Sequence, residues 1–227
     1  MKKFFPVFLL ALFCAATTRG TAEPSRADLV SEVESCEAIL QDFMFHPAIA
    51  IPHAVWQQAH AVLIVNQFKA GFILGVKGGY GVIMVKKPGG RWSLPVLVSA
   101  NETSLGFQIG ARSVETVYII TDDQTPRMLF HHRFNIGIDA RAEIGPRTAD
   151  AQKDDHPLLS APVLVYTKSS GLFAGATVKA AEISRNDPAN FILYGTNYRL
   201  PELLYSDWVQ PPQEVQPLMN YVERLAP

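Results

Sequence analysis

The first regular hydrophobic pattern in the chain lies between residues 25 and 44. Five apolar residues recur there at intervals of four and three: Leu29, Val33, Cys36, Leu40 and Phe43. This spacing places apolar side chains on one face of an α-helix. Ser25 precedes the run and Asp28 follows three residues later, an arrangement typical of a helix N-terminus. The pattern predicts an amphipathic helix over about residues 25–44.

From residue 61 onward the hydrophobic period shortens. Short apolar runs bounded by glycine, proline or charge predict strands at Ala61–Val65, Phe72–Val76, Val82–Val85, Leu94–Val98, Val117–Ile120 and Val163–Tyr166. In the run at 82–85, residues of both parities are apolar, so both faces of that strand are apolar. Such strands belong in a sheet that is covered on both sides.

Glycine is concentrated in this strand-forming region. Nine of the 15 glycines lie between residues 71 and 110, and glycine within strands marks bulges, sharp coiling or close backbone approach. Further helices are predicted after Pro52, from Asp187 and near Leu218–Leu225. Together these features predict an α+β fold, in which a curved, mostly antiparallel and barrel-like β-sheet packs with an N-terminal amphipathic helix and C-terminal helices.

The first 22 residues have the features of a secretory signal. Two lysines precede an apolar run that is too short to span a bilayer as a stable helix, and Gly20 and Ala22 suit the small positions before a cleavage site. We therefore expect a single domain over residues 23–227, located in the periplasm or secreted, with scope for peripheral membrane association. Acylation of Cys14 is the alternative, although Phe13 stands where a small residue is expected.

Charge is distributed unevenly along the chain. The 227 residues carry a formal net charge of −1, and removal of the predicted signal leaves 205 residues with a net charge of −4. A strongly basic nucleic-acid-binding protein is therefore disfavoured. Residues 23–60 carry −5, whereas residues 61–113 carry +5. The acidic helix and the basic strands could face each other or form two separate functional surfaces.

No residue pattern argues for catalysis or for a bound metal or cofactor. The glycine-rich run at 75–81 continues into a strand, whereas a phosphate-cradling loop should open a helix. The acids at 122–123 and the adjacent His131 and His132 do not make a zinc pattern, because neighbouring histidines do not converge from one face. Cys36 belongs to the apolar stripe of the predicted helix. We therefore predict no enzyme activity, no cofactor and no metal site.

The most specific local pattern is the run Lys86-Lys87-Pro88-Gly89-Gly90-Arg91-Trp92. Pro88 and Gly89 fit the central positions of a type II turn, which predicts a hairpin tip. Cations and a tryptophan around such a tip suit an anionic lipid surface. The alternative is a solvated turn with Trp92 folded into the core. On the lipid hypothesis the candidate binding residues are Lys69, Lys77, Lys86, Lys87, Arg91 and Trp92.

Several separated motifs between residues 51 and 195 occur in the order found in one known domain. They are Ile51-Pro52, Lys69-Ala70-Gly71-Phe72, Gly79-Tyr80-Gly81-Val82, Trp92-Ser93-Leu94-Pro95, the stretches 106–110, 142–146 and 166–175, and Asn190 with Tyr194-Gly195. On these residues the chain is identified as a bacterial exported member of the SYLF domain family. The resemblance implies binding of phosphoinositides or other membrane lipids, actin binding in fungal and animal members, and no enzyme activity.

Two features separate this chain from the eukaryotic members of that family. Its N-terminal helix is acidic where theirs is basic, and its predicted export separates it from cytosolic actin. We therefore expect a lipid-binding protein, non-enzymatic, whose partners are membrane lipids, chiefly anionic phospholipid, contacted through the basic strands. The alternatives are a carrier of an apolar ligand in an internal cavity and a structural envelope protein that binds a protein partner through Glu32, Glu34 or Glu37.

Overall fold

The computed structural model describes residues 23–47, 49–72, 74–101, 110–131, 133–136, 142–144, 161–169 and 181–227. Several predictions fall outside these residues, namely the signal sequence with Cys14, the second of the adjacent histidines, and the motif residues at 106–109, 145–146 and 170–175. In the part of the chain that is described, no helix combines the length and the apolarity needed to cross a bilayer.

The first helix, α1 (Arg26–Phe45), begins where the sequence predicts it. The Ser25 hydroxyl accepts a hydrogen bond from the Asp28 N–H at 3.2 Å, and the Asp28 carboxylate accepts one from the Ser25 N–H at 2.9 Å. This reciprocal pair satisfies two N–H groups that a helix start leaves free. All five residues of the predicted apolar stripe are buried, together with Ile39.

In the part of the chain that the structure describes, eight strands form one sheet. They are β1 (Ala61–Phe72), β2 (Leu74–Val85), β3 (Val96–Asn101), β4 (Gly110–Ile120), β5 (Arg133–Ile136), β6 (Ala142–Ile144), β7 (Val163–Ser169) and β8 (Ala181–Arg185). Their order across the sheet is β5-β8-β3-β2-β1-β4-β7-β6, and only the pairing of β6 with β7 is parallel. The predicted fold class, a curved, mostly antiparallel and barrel-like sheet with helices, is confirmed. The predicted strand Phe72–Val76 is instead the end of β1 and the start of β2.

Four further helices accompany the sheet among the described residues. They are α2 (His53–Trp56), α3 (Asp187–Tyr194), α4 (Leu200–Tyr205) and α5 (Gln216–Leu225), with 3-10 turns at Thr125–His131 and Gln213–Val215. The helices predicted after Pro52, from Asp187 and near the end of the chain correspond to α2, α3 and α5. Helix α4 was not predicted, because six residues are too few to show a helical period.

The central strands bury both of their faces, as predicted. In β1, Val62 and Ile64 belong to an apolar cluster that includes the buried residues of α1, α3 and α5, here called the α1 core. Leu63 and Val65 belong to a second cluster that includes the buried leucines of α4, here called the α4 core. Because successive residues of a strand point to opposite faces, one strand contributes to both cores.

Two glycines of β2 permit a close approach to β1. A Cβ atom on Gly81 would lie 2.4 Å from the carbonyl oxygen of Ile64, and one on Gly79 would lie 2.5 Å from that of Asn66. Both neighbours are main-chain atoms of the paired strand, so they cannot turn away. The predicted role of glycine in close backbone approach is therefore confirmed at these two positions.

We predict that Gly81→Ala lowers the free energy of unfolding by about 1–3 kcal/mol, because the added methyl group must displace main chain in a packed sheet. Gly78→Ala is the matched control, since a Cβ there would meet nothing within 4 Å. Urea denaturation of both variants measures the difference. Equal stability of the two variants would show that the strands do not need the close approach.

Candidate functional site

The six predicted lipid-binding residues do not form one site. Lys69 and Lys77 are paired with each other close to the turn that joins β1 and β2. The other four surround the turn that follows β2. Lys86 follows Lys77 by nine positions along an extended strand, a span of about 30 Å at about 3.3 Å per residue. We call the first group, together with Arg112, the strand-end row, and residues 86–92 the hairpin tip.

The hairpin tip has the predicted turn. The Gly90 N–H donates to the Lys87 carbonyl at 3.0 Å, and Gly89 has a φ of 103°. A type II turn requires a positive φ at its third residue, which glycine adopts without strain. Lys86 and Trp92 face each other as an antiparallel bridge. The prediction of a tip at Pro88 and Gly89 is confirmed.

The cations of the tip are held by oxygen atoms of the C-terminal segment. Asp207 accepts hydrogen bonds from Lys87 Nζ and from Arg91 Nη2, the latter at 2.7 Å. The bond from Lys87 is the main reason that the pKa of Asp207 lies below its usual value. Lys86 Nζ donates to the main-chain oxygen of Pro227 at 2.5 Å. Two of the three cations, Lys87 and Arg91, thus share one carboxylate, whereas Lys86 bonds a main-chain oxygen.

The Trp92 side chain is turned into the protein. It is 5% exposed, and its indole N–H donates to the carbonyl oxygen of Ala226 at 2.8 Å. The sequence left two arrangements open for this residue, and the structure has the buried one. A bilayer anchor must be exposed, so the buried position of Trp92 does not favour it as the anchor of the tip. Lipid binding by the six residues stays a prediction.

An exposed pair of aromatic residues, Tyr198 and Trp208, lies beside the hairpin tip. Trp208, which follows Asp207 in the chain, is 65% exposed, and its ring centroid lies 5.2 Å from that of Tyr198. The Ser206 hydroxyl accepts from the Trp208 N–H at 3.3 Å and donates to the Glu202 carbonyl of α4. Sequence reasoning missed this pair. The sequence feature that could have indicated the pair is that Trp208 does not belong to any periodic apolar pattern.

The strand-end row is a line of three basic residues across three neighbouring strands. Lys69 of β1 is paired directly with Lys77 of β2 and with Arg112 of β4. Directly paired positions of antiparallel strands share a face of the sheet. The sequence could not indicate that Arg112 belongs to this row, because β1 and β4 are far apart in the chain.

Other titratable groups that the sequence singled out have structural roles. Asp122 Oδ1 accepts from the Thr125 N–H at 2.6 Å at the start of a 3-10 turn, and Asp123 lies 2.8 Å from His60 Nδ1. Burial raises the pKa of the Cys36 thiol, which disfavours the reactive thiolate. Within the described residues, no three His, Cys, Asp or Glu side chains are grouped as a metal ion would require.

Two residues that carry the family resemblance hold β3 in place. The buried Asn190 accepts from the Leu97 N–H at 2.8 Å and donates to the Leu97 carbonyl at 2.9 Å. Strand β8 ends at Arg185, which is paired with Val98, so the Asn190 amide replaces the missing strand partner at the next position. The Tyr194 hydroxyl donates to the Pro95 carbonyl. These motif residues are structural, and they fix the segment that follows the hairpin tip.

Comparison with known proteins agrees with the family resemblance found in the sequence. A family model described as Ysc84, Las17-binding protein actin regulator, matches residues 101–225, more than half of the chain. LAS seventeen-binding protein 3 of Saccharomyces cerevisiae is 29% identical over 215 residues, covering 91% of this chain and 47% of that protein. SH3 domain-containing YSC84-like protein 1 is 28% identical in Xenopus laevis and 27% in Homo sapiens, covering 83% and 84% of this chain and 58% and 57% of those proteins. The chain thus spans about half the length of these relatives.

We predict that Asn190→Ala lowers the free energy of unfolding by about 3 kcal/mol, because it leaves the buried N–H and carbonyl of Leu97 without partners. Asn220→Ala, at an exposed position of α5, should change it by less than about 0.5 kcal/mol. Chemical denaturation compares the two. A similar small loss for both variants would contradict the role given to the Asn190 amide.

Proposed function

The chain belongs to the Ysc84 family, which corresponds to the SYLF domain, and on that premise we propose that it is an exported, non-catalytic protein that binds the surface of anionic membranes. The membrane contact is made by the hairpin tip together with the aromatic pair Tyr198 and Trp208. Export rests on the signal-like first 22 residues. The family resemblance supports a lipid ligand, and the charge and exposure at the tip support this surface.

The observation that carries the proposal is an exposed aromatic pair next to an excess of positive charge. Lys87 and Arg91 share the single carboxylate of Asp207. One positive charge therefore remains on that trio. Tryptophan and tyrosine prefer the bilayer interface because their rings are apolar and their N–H and O–H groups remain hydrated.

The exposures of these side chains fit a peripheral contact. Arg91 is 71% exposed, whereas Lys87 is 11% exposed and serves mainly to hold Asp207. A cation near an anionic membrane contributes about 1 kcal/mol, and the attraction falls off within a Debye length. A few such charges and one inserted indole give reversible, salt-sensitive binding rather than a permanent anchor.

We predict that Asp207→Asn strengthens binding to anionic vesicles and that Arg91→Gln weakens it, each by about fivefold at low salt, because each changes the charge of the tip by one unit in opposite directions. Co-sedimentation with vesicles of phosphatidylglycerol and phosphatidylcholine measures the change. Arg133→Gln removes a cation that is 68% exposed on β5 and should have little effect. Equal effects of the two arginine variants, or equal binding to vesicles of phosphatidylcholine alone, would contradict the proposal.

A protein partner is a second candidate, favoured by an exposed apolar site at the C-terminal end of α1. Phe45 is 80% exposed there. It borders an open surface depression whose other lining residues are Ala38, Gln41, Asp42, Met44 and Tyr221. The yeast relative is named LAS seventeen-binding protein 3. Cross-linking that maps to α1, lost in Phe45→Ser and retained in Arg91→Gln, would favour this function over membrane binding.

A carrier of an apolar molecule is the remaining alternative. Extraction of the purified protein into organic solvent, followed by mass spectrometry, would detect a lipid bound in stoichiometric amount. Such a lipid would favour the carrier, because surface contact with a bilayer leaves no lipid on the protein after purification in aqueous buffer.

A further inference from the structure

We propose that a pocket between the hairpin tip and α5, here called the α5 pocket, binds a free amino acid with an apolar side chain. The pocket is partly enclosed and has a volume of about 220 Å³. Its lining combines apolar side chains with two cations of the tip and an acid of α5. Neither Tyr198 nor Trp208 lines it, so the proposal does not rest on the membrane contact made by that pair.

The apolar lining lies where the two cores meet the surface. Trp92 belongs to the α1 core and Leu94 to the α4 core, and both line the pocket. Met219 of α5 packs against both cores and lines the pocket as well. Val209 and Pro211 complete this part of the lining. An apolar group placed here would leave water for contact with these side chains, which favours binding.

The size and polarity of the apolar part limit what can enter it. Pockets for drug-sized molecules measure about 300–1,000 Å³, and the α5 pocket is smaller. The Trp92 indole N–H is bonded to the Ala226 carbonyl oxygen at 2.8 Å, so the ring offers apolar atoms and no free donor. A single hydrocarbon side chain therefore suits this space better than a long acyl chain.

The cationic border of the pocket can receive a carboxylate. Lys87, Arg91 and Asp207 all line the pocket, and the charge of Asp207 is matched by Lys87. Arg91 donates to Asp207 through Nη2, whereas a guanidinium carries five N–H donors in all. Because Arg91 is also 71% exposed, a ligand can reach its remaining donors. A carboxylate bound there would receive charge-assisted hydrogen bonds.

An acid on α5 supplies the opposite charge. Glu223 is exposed, lines the pocket and has no ion pair among the described residues. The next residue, Arg224, lies over the ring of Tyr221 at 5.3 Å from its centroid, so it is engaged elsewhere. Asn220 lies three residues before Glu223 on the same helix and also lines the pocket. Glu223 and the Asn220 amide oxygen can therefore accept hydrogen bonds from an ammonium group.

The two charged borders and the apolar lining together define the class of ligand. An α-amino acid carries a carboxylate, an ammonium group and a side chain on one carbon atom, so it can match all three. A fatty acid would leave Glu223 without a cation, and an alkyl amine would leave the surplus charge of Arg91 without an anion. An anionic headgroup would place a like charge beside Glu223. A free amino acid with an apolar side chain is therefore the best match.

The first test uses the purified full chain with L-leucine and with glycine. We expect leucine to raise the melting temperature in a saturable manner, because a ligand of the native state stabilises it. Glycine at the same concentration should raise it less, since it carries the same two charges but no apolar side chain. Glycine also controls for the general effect of amino acids on the solvent. Equal shifts from the two would overturn the proposal.

Two analogues of leucine, titrated by calorimetry, locate the charged contacts. N-acetyl-leucine lacks the ammonium charge and leucinamide lacks the carboxylate, so each should bind about tenfold more weakly than leucine, the effect of one charge-assisted bond. Glu223→Gln should bind leucine about tenfold more weakly and should no longer distinguish it from N-acetyl-leucine. Arg91→Gln should likewise lose the distinction between leucine and leucinamide.

Arg133→Gln is the matched control for Arg91→Gln, because it removes an exposed cation on β5 and should keep both distinctions. Variants at Glu223 and Arg91 that still distinguish leucine from its analogues as the unchanged chain does would overturn the assignment of the two charges.

Amino-acid binding and membrane binding are separable. Trp208→Phe removes the exposed indole of the proposed membrane contact and should leave the affinity for leucine unchanged. Glu223→Gln should not weaken binding to anionic vesicles, since it removes a negative charge. Vesicle binding without leucine binding would overturn the α5 pocket alone. Leucine binding without vesicle binding would support the pocket and contradict only the membrane contact.

Discussion

The burial of both faces of the central strands is the constraint on which the rest of the structure depends. Val62 and Ile64 enter the α1 core while Leu63 and Val65 enter the α4 core. Helices must therefore cover each face, and β2 must approach β1 closely, which selects glycine at position 81. The hairpin tip follows the end of β2, and the strand-end row lies near the turn between β1 and β2.

The elements that could be predicted from sequence are those whose causes are local. Helix α1 has both its cap and its apolar stripe within 20 residues, and the hairpin tip is determined by Pro88 and Gly89. The position of Trp92 could not be predicted, because its indole N–H is bonded to a carbonyl 134 residues away. The strand-end row likewise arises from the pairing of β1 with β4. Local pattern thus identified the basic segment but not which of its side chains face solvent.

The family resemblance and the exposed aromatic pair rest on different residues. Asn190 and Tyr194 carry the resemblance, and they hold the segment around Leu97 through buried hydrogen bonds. Trp208 and Tyr198 lie outside the motifs that indicated the family. Members of one family can share the residues that hold the fold and differ in the surface residues that bind a ligand or partner. On the proposed function, the membrane contact of this chain depends on surface residues that lie outside those motifs.

The most direct test of membrane contact at the hairpin tip uses the intrinsic fluorescence of the protein. Trp56 and Trp92 are 1% and 5% exposed, whereas Trp208 is 65% exposed, so a lipid-borne quencher should reach Trp208 alone. Vesicles of anionic phospholipid with brominated acyl chains are predicted to quench the emission and shift it to the blue, and Trp208→Phe should abolish both effects. Vesicle-bound protein whose emission is unchanged, or is quenched equally in Trp208→Phe, would contradict the account.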